Sequence, residues 1–199
     1  MLSRRRCEPI MKSSDIDILI VPGWSGSGPD HWQSRWLAKL STARLVEQAD
    51  WNRPSRRLWA ERVVEEVRRS TRPVVLVAHS AGVSTVAHAA EHLKPGEVAG
   101  AFLVAPASER AKQALPGVEA DFVVHRRERL PFPALLVASE TDPYCTLDEA
   151  RDLAQAWGAE LVEAGDSGHI NSESGHGPWP DGLLRFAGFL RSLSAVPAR

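Results

Sequence analysis

The sequence has few of the features that mark secreted, membrane-spanning or nucleic-acid-binding proteins. Two cysteines in 199 residues are too few for a disulfide framework and are typical of a reducing compartment. No apolar run reaches the roughly eighteen residues that span a bilayer, and the arginine-bearing start lacks the apolar core of a signal peptide. A formal net charge of -1 provides no concentrated basic surface for nucleic acid. We therefore expect a cytoplasmic protein that binds neither membrane nor nucleic acid.

The motifs of metal and nucleotide sites are also missing. The histidines form no His-Glu-x-x-His motif, and the cysteines are not spaced as zinc ligands. The glycine-bearing segment 22–28 has neither the Lys-Ser/Thr ending of a P-loop nor the spacing of a dinucleotide site. We expect no metal and no cofactor.

What the sequence does contain is an alternation of short apolar runs with helical patterns, which is typical of parallel β-α-β units. With 43% hydrophobic residues, the chain can build one substantial core. We predict an α/β fold with a mostly parallel sheet and helices on both faces, in a single domain over 13–199. Residues 1–12 are expected to be a disordered extension. The predicted strands lie near 15–21, 43–47, 73–78, 99–104, 134–139 and 159–163.

Helical spacing predicts which apolar residues pack onto this sheet. The residues assigned to core-facing sides of helices are Leu58, Trp59, Val63, Val64 and Val67, then Leu153, Ala154 and Trp157, and finally Leu183, Leu184, Phe186, Phe189 and Leu190. Trp32 and Trp36 are four residues apart on a further helix, where we favour core packing. For His31 and Gln33 we favour a structural role over orientation of the preceding loop.

The segment from Val74 to Gly82 is typical of a nucleophile elbow, in which a strand turns sharply into a helix and projects a serine hydroxyl. The turn is so tight that the positions two before and two after the serine must be small. Ala78 and Gly82 meet this demand around Ser80, although the usual motif has glycine at both ends. We predict that Ser80 is a nucleophile.

A serine nucleophile on such a scaffold needs a carboxylate and then a histidine, each after a later strand. Asp142 follows the apolar run 134–139, and His169 follows the strand predicted at 159–163, so both appear in the required order. We predict that His169 is the base and that Asp142 orients it. His176 is a competing base, but its glycine- and proline-rich loop fits less well. Cys145 lacks an elbow and is not favoured as a nucleophile.

The developing oxyanion needs hydrogen-bond donors beside the nucleophile. The backbone N–H of Ala81 begins the helix after the elbow, where the helix dipole also favours negative charge. The second predicted donor is the N–H of Trp24, in the loop after the first strand. We expect Gly23, His79 and Trp179 to line the substrate pocket.

Several of these segments resemble the small serine hydrolases grouped with retinoblastoma-binding protein 9 and the bacterial YdeN proteins. The resemblance covers roughly residues 14–194 and is carried by the following segments: Pro22-Gly23-Trp24, Asp30-His31-Trp32-Gln33, Ala78 to Gly82, Leu130 to Pro133, Ser139 to Pro143 and Gly168 to Asn171. It implies a compact α/β-hydrolase fold with little or no lid, and it matches Ser80, Asp142 and His169 to the family's triad. No Leu-x-Cys-x-Glu segment occurs, so nothing supports retinoblastoma binding.

We therefore expect a serine hydrolase that cleaves small carboxylic esters, with amides or peptide-like substrates also open. Residues 106–132 form the only insertion long enough to cover the site. We expect residues 107–114 to form one helix, which leaves little more than a small flap and favours small or exposed substrates. A monomer is favoured. Two alternatives stay open: a binding protein with a vestigial triad, and an acyltransferase or lyase that uses the same residues.

Overall fold

In a computed structural model that describes residues 11–193, six strands form one parallel sheet. The strands are β1 Asp17–Val21, β2 Ala43–Leu45, β3 Val74–Ser80, β4 Gly100–Pro106, β5 Ala134–Ala138 and β6 Glu160–Glu163, in the order β2-β1-β3-β4-β5-β6. All six predicted strands are present within two residues at either end. The parallel sheet and its flanking helices confirm the predicted fold class.

Seven α-helices connect the described strands or follow them. They are α1 Trp32–Lys39, α2 Arg56–Arg69, α3 Ala81–Ala89, α4 Glu109–Gln113, α5 Ala120–Val123, α6 Leu147–Trp157 and α7 Pro180–Ser192, with short 3-10 turns at Ser13–Asp15 and Ala90–His92. Side-chain caps begin several of them. For example, Thr146 and Glu149 form a reciprocal capping box at the start of α6.

Alternation along the strands divides the core between the two faces of the sheet. Leu76 and Ala78 of β3 face the cluster formed by α2, α3 and α6, whereas Val75 and Val77 face the cluster formed by α1 and α7. Because both faces are covered, the central strands are almost continuously apolar. The carboxyl ends of these strands therefore meet at one edge of a rigid layer, where the loops gather.

The burial of four residues differs from the sequence prediction. Leu58, Leu183 and Leu184 are exposed rather than packed in the core. Helical spacing shows which side of a helix is apolar, but it does not show how much of that side the sheet covers. Of the twelve residues assigned to the extension, only Met11 and Lys12 lie within the described part, and Met11 is buried against the α1 and α7 cluster. The folded part therefore includes Met11.

The insertion between β4 and β5 carries a small flap (residues 107–125) with the helices α4 and α5. It is anchored to the body by backbone hydrogen bonds from Ser108 N to Tyr144 O at 3.0 Å and from Glu119 N to Pro54 O at 3.0 Å. The predicted single helix over 107–114 is only partly formed, since α4 ends at Gln113. The flap leaves the carboxyl edge of the sheet open, as a fold with little lid requires.

A buried lysine ties the flap to α3. The side chain of Lys112 is inaccessible to solvent; its Nζ donates to Ser84 Oγ at 3.0 Å and lies 3.3 Å from His125 Nδ1. Burial lowers the pKa of Lys112 to about 7, while Glu109 and Cys145 act in the opposite direction. Burial also lowers the pKa of His125 to about 3, which leaves that imidazole neutral and able to accept from the amine.

Replacing this lysine should change how stability depends on pH. Between pH 7 and about 10.5 the unfolded chain binds the Lys112 proton more strongly than the folded chain, so the free energy of unfolding rises with pH through that window. In Lys112→Met we expect this slope to fall by up to about 1.4 kcal/mol per pH unit. Urea unfolding at several pH values measures it. Lys39→Met, an exposed control at the end of α1, should keep the wild-type slope. A wild-type slope in Lys112→Met would contradict the lowered pKa of Lys112.

Candidate active site

The turn from β3 into α3 forces Ser80 into an unusual backbone conformation. Ser80 is the last residue of β3 and immediately precedes Ala81, the first residue of α3; its φ is 56° and its ψ is -125°. A positive φ is costly for a residue with a Cβ atom and persists only where the surrounding structure enforces it. Because of this backbone conformation, the Ser80 side chain points out of the sheet edge.

Close packing of backbone explains why small residues flank this turn. A Cβ atom on Gly82 would overlap Val21 O and would lie 2.6 Å from Pro22 O. A Cβ atom on Gly23 would lie 2.9 Å from Ser80 Cβ and 3.1 Å from Ala81 N. Both glycines are therefore needed so that the loop after β1 can lie directly against the elbow. Ala78, which replaces the first glycine of the usual motif, is fully buried.

Ser80, His169 and Asp142 form one continuous hydrogen-bonded chain. Ser80 Oγ lies 2.9 Å from His169 Nε2, and His169 Nδ1 lies 2.9 Å and 3.0 Å from the two carboxylate oxygens of Asp142. A carboxylate can only accept, so Nδ1 carries the proton and Nε2 is free to accept from Ser80. The Asp142 side chain is 2% exposed, and that of His169 is 8% exposed. The structure thus brings together the three residues that the sequence analysis selected.

A second histidine holds the backbone of His169 in place. His79 Nε2 lies 2.9 Å from the carbonyl oxygen of His169, and a carbonyl accepts only, so this nitrogen is the donor. Burial, followed by the neighbouring His169 and His31, keeps the pKa of His79 well below its ordinary value. Burial likewise lowers the pKa of His31 to about 4. Both rings are therefore uncharged at neutral pH.

The loop after β1 is fixed by Gln33, which the sequence analysis placed in a structural role. Gln33 is fully buried; its Nε2 donates to Val21 O at 3.3 Å and to Val77 O at 3.1 Å, and its Oε1 accepts from Ser27 Oγ at 2.8 Å. These bonds tie α1 to two strands and to the loop. The residue therefore also orients the loop that carries Trp24. His31 caps α1 by accepting from Gln33 N at 3.1 Å.

The two predicted oxyanion donors lie beside the serine. Ala81 is the first residue of α3, where backbone N–H groups have no acceptor within the helix. Trp24 directly follows Gly23, which packs so closely against the elbow that an added Cβ would lie 2.9 Å from Ser80 Cβ and 3.1 Å from Ala81 N. Trp24 Nε1 donates to Asn52 O at 3.4 Å, which holds the indole against the next loop.

A cavity of about 690 Å³ opens above Ser80. Of the predicted site residues, it is lined by Gly23, Trp24, His79, Ser80 and His169. The sequence analysis marked the insertion 106–132 as a possible cover but did not assign individual lining residues there or in the later loops. These further lining residues include Arg110, Ala111, Ala114, Leu115, Pro116, Pro143, Tyr144, Asn171, Ser172 and Glu173. Tyr144 packs edge-on against His169 with the ring centroids 4.6 Å apart. For Tyr144, its place two residues after Asp142 was the available sequence signal.

Trp179 does not line the cavity, contrary to the sequence prediction. It is buried in the cluster formed by α1 and α7, 5.0 Å from Trp32 and stacked 6.2 Å from Trp36 between ring centroids. Pro180 is the first residue of α7, and this start of the helix directs the preceding tryptophan into the core. The loop before α7 therefore contributes Trp179 to a buried aromatic cluster and not to the wall of the cavity.

His176 and Cys145, the two alternatives weighed from the sequence, are not part of the hydrogen-bonded chain of Ser80, His169 and Asp142. His176 Nδ1 is 3.3 Å from Ser174 Oγ, and its ring packs against Trp179. Cys145 is buried, and burial raises the pKa of its thiol to about 12, so a reactive thiolate is disfavoured.

Between residues 11 and 193, no three His, Cys, Asp or Glu side chains are grouped as metal ligands. In the same range no helix is long and apolar enough to cross a bilayer.

The parallel sheet, the flanking helices and the serine at the strand-to-helix turn define an α/β hydrolase. The family model described as serine hydrolase matches residues 18–188, and the chain belongs to that serine hydrolase family. The resemblance identified from the sequence is thereby confirmed. No curated protein matches the sequence.

Solved structures agree with this assignment. A protein described as a YdeN-like hydrolase from Pectobacterium atrosepticum is 33% identical, with a TM-score of 0.81 over 92% of this chain and 95% of that one. The ydeN gene product of B. subtilis is 22% identical, with a TM-score of 0.68 over 86% and 98%. Thermogutta terrifontis esterase 2 is 17% identical, with a TM-score of 0.64 over 90% and 84%. The last two likenesses establish the fold.

Adding one methyl group at the elbow should disturb the whole site. In Gly82→Ala the new Cβ must displace backbone of the loop after β1, and we expect a loss of about 1–3 kcal/mol in the free energy of unfolding. Chemical denaturation followed by circular dichroism measures it. Gly188→Ala is the matched control, because its new Cβ meets open space on α7 and should stabilise that helix by about 0.5–1 kcal/mol. Wild-type stability in Gly82→Ala would refute the packing argument.

Proposed function

We propose that this hydrolase cleaves small carboxylic esters through an acyl-enzyme on Ser80, with His169 and Asp142 completing the triad. The observation that carries the proposal is the unbroken chain from Ser80 Oγ through His169 to Asp142, with both links at 2.9 Å, at the floor of an open cavity. Amides and peptide-like substrates fit the same chemistry. The mechanism requires neither a metal nor a cofactor.

The reaction begins when Ser80 Oγ attacks the ester carbonyl and His169 Nε2 accepts its proton. The same nitrogen then returns the proton to the leaving alcohol. Asp142 stabilises the imidazolium formed between these two transfers and holds the tautomer that makes Nε2 the acceptor. In the second half, His169 activates water against the acyl group, which releases the acid and restores Ser80.

Charge that develops on the carbonyl oxygen would be stabilised by the N–H groups of Trp24 and Ala81. Ala81 adds the positive end of the α3 dipole, directed at the same point. The bond from Ser27 Oγ to Gln33, together with the bonds from Gln33 to two strands, holds the Trp24 loop before substrate arrives, so little reorganisation accompanies the reaction. The hydrogen bond from His79 likewise fixes the backbone that carries the base.

The cavity supports small substrates. Its volume of about 690 Å³ is within the usual range for small-molecule sites, and the short flap helices cover only part of it. An acyl group can lie against Ala111, Ala114 and Leu115 while the rest of the ester faces solvent. A small-molecule ester or amide as substrate, a monomeric state and a cytoplasmic location stay predictions.

Covalent labelling tests the nucleophile directly. We expect a fluorophosphonate probe to modify wild-type protein at Ser80, mapped by mass spectrometry, and to leave folded Ser80→Ala unmodified. Ser172→Ala is the matched control, because Ser172 lines the same cavity outside the triad and its loss should not reduce labelling. Labelling of Ser80→Ala, or none of folded wild type, would refute the nucleophile; the second result would favour a binding protein with a vestigial triad.

Removing the charge of Asp142 tests its role in orienting His169. In Asp142→Asn the amide can donate to His169 Nδ1, so the imidazole is held in the wrong tautomer. We expect kcat for 4-nitrophenyl butyrate to fall about 10⁴-fold. Unchanged thermal unfolding shows that the fold is retained. A loss below about tenfold would contradict the assigned role.

Product analysis with added alcohol separates the hydrolase from an acyltransferase, which would form a new ester in place of the acid.

A further inference from the structure

Two side chains with a permanent charge line the cavity, and they belong to different loops. Arg110 lies on α4 in the flap after β4, and Glu173 lies in the loop after β6. The His31 and His79 rings on the wall are uncharged, because their pKa values are lowered. Arg110 is therefore the one fixed positive charge among the lining residues.

Arg110 forms no ion pair and no side-chain hydrogen bond within the described residues. Arg56 and Arg151 each have a carboxylate oxygen within 4.0 Å, whereas Arg110, like Arg127 outside the cavity, forms no ion pair or side-chain hydrogen bond with any residue between 11 and 193. The adjacent Glu109 is engaged elsewhere, because its Oε1 accepts from His125 N at 2.9 Å. An exposed guanidinium without a protein acceptor keeps all five donors for a ligand.

The flap holds the backbone of Arg110 in a fixed position beside the cavity. Ser108 caps α4 by accepting from Ala111 N at 3.2 Å, and buried Lys112 ties the helix to Ser84. Residues two apart on a helix point to nearly opposite sides. The anchoring of Lys112 in the core therefore keeps Arg110 on the cavity side, next to the apolar Ala111 and Ala114.

We propose, on the basis of the proposed esterase function, that Arg110 binds a carboxylate at the far end of the acyl chain, so that the preferred substrates are monoesters of dicarboxylic acids. A planar guanidinium recognises a carboxylate through two parallel hydrogen bonds. A single positive charge matches a carboxylate better than a phosphate monoester, which carries nearly two negative charges. Glu173, after β6, disfavours an anion elsewhere in the cavity.

Matched esters test this charge preference. The mono-4-nitrophenyl ester of adipic acid and methyl 4-nitrophenyl adipate share leaving group and chain length and differ in the terminal carboxylate. For wild type we expect kcat/KM to favour the acid about tenfold. Arg110→Gln should abolish this ratio, mainly through a higher KM for the acid, and Arg110→Lys should restore part of it. Added salt should reduce the wild-type ratio, since Arg110 is exposed.

Two control variants isolate the position. Arg127→Gln removes an exposed arginine outside the cavity and should leave the ratio unchanged. Glu173→Gln removes the opposing charge and should keep or raise the ratio. The proposal is overturned if wild type shows no preference for the acid, or if Arg110→Gln lowers kcat/KM for both esters equally.

A binding measurement separates failure of this proposal from failure of the esterase function. Monomethyl adipate should raise the Tm of Ser80→Ala and should not raise that of Ser80→Ala/Arg110→Gln. If wild type hydrolyses methyl 4-nitrophenyl adipate but the ligand leaves the Tm of Ser80→Ala unchanged, the esterase stands and the carboxylate subsite fails. If wild type hydrolyses neither ester and takes no fluorophosphonate label, the proposed function fails and the substrate class fails with it.

Discussion

The strained turn at Ser80 is the constraint on which the rest of the site depends. A residue with a Cβ atom keeps a φ of 56° only if packing on every side enforces it. Here the enforcement comes from backbone, because the loop after β1 lies against Gly82 and presents Gly23 to the serine. The apolar sheet below supplies the rigidity that this arrangement needs. One close approach thus positions both the candidate nucleophile and the loop of the candidate oxyanion donor.

Neutral polar side chains join this turn to the other loops. His79 precedes the serine and donates to the backbone of His169, and its ring contacts His31 at a centroid distance of 4.8 Å. Burial keeps His79 and His31 uncharged, so their tautomers are set by their hydrogen-bond partners. Gln33 completes the set by joining α1 to two strands. The loop after β1, the elbow and the backbone of His169 are therefore joined by directional hydrogen bonds from uncharged side chains.

Local rules were enough to predict the six strands and the order of Ser80, Asp142 and His169, since both follow from apolar runs and from what comes directly after them. The contents of the cavity were harder to predict, because they depend on how separate loops meet in space. Trp179 was assigned to the pocket from its loop, yet the start of α7 directs it into the core. Arg110 gave no signal, since an arginine on a short polar helix resembles any surface residue until its neighbours are known.

The division of the cavity wall among four loops has a consequence for how specificity can change. Lining residues follow β1, β4, β5 and β6, whereas the elbow follows β3, and each loop leaves the sheet independently. Substitutions at Arg110, Tyr144 or Glu173 alter exposed side chains and leave the packed strands as they are. The shape and charge of the cavity wall can therefore change at one exposed position at a time, while the strands that carry the reacting groups keep their packing.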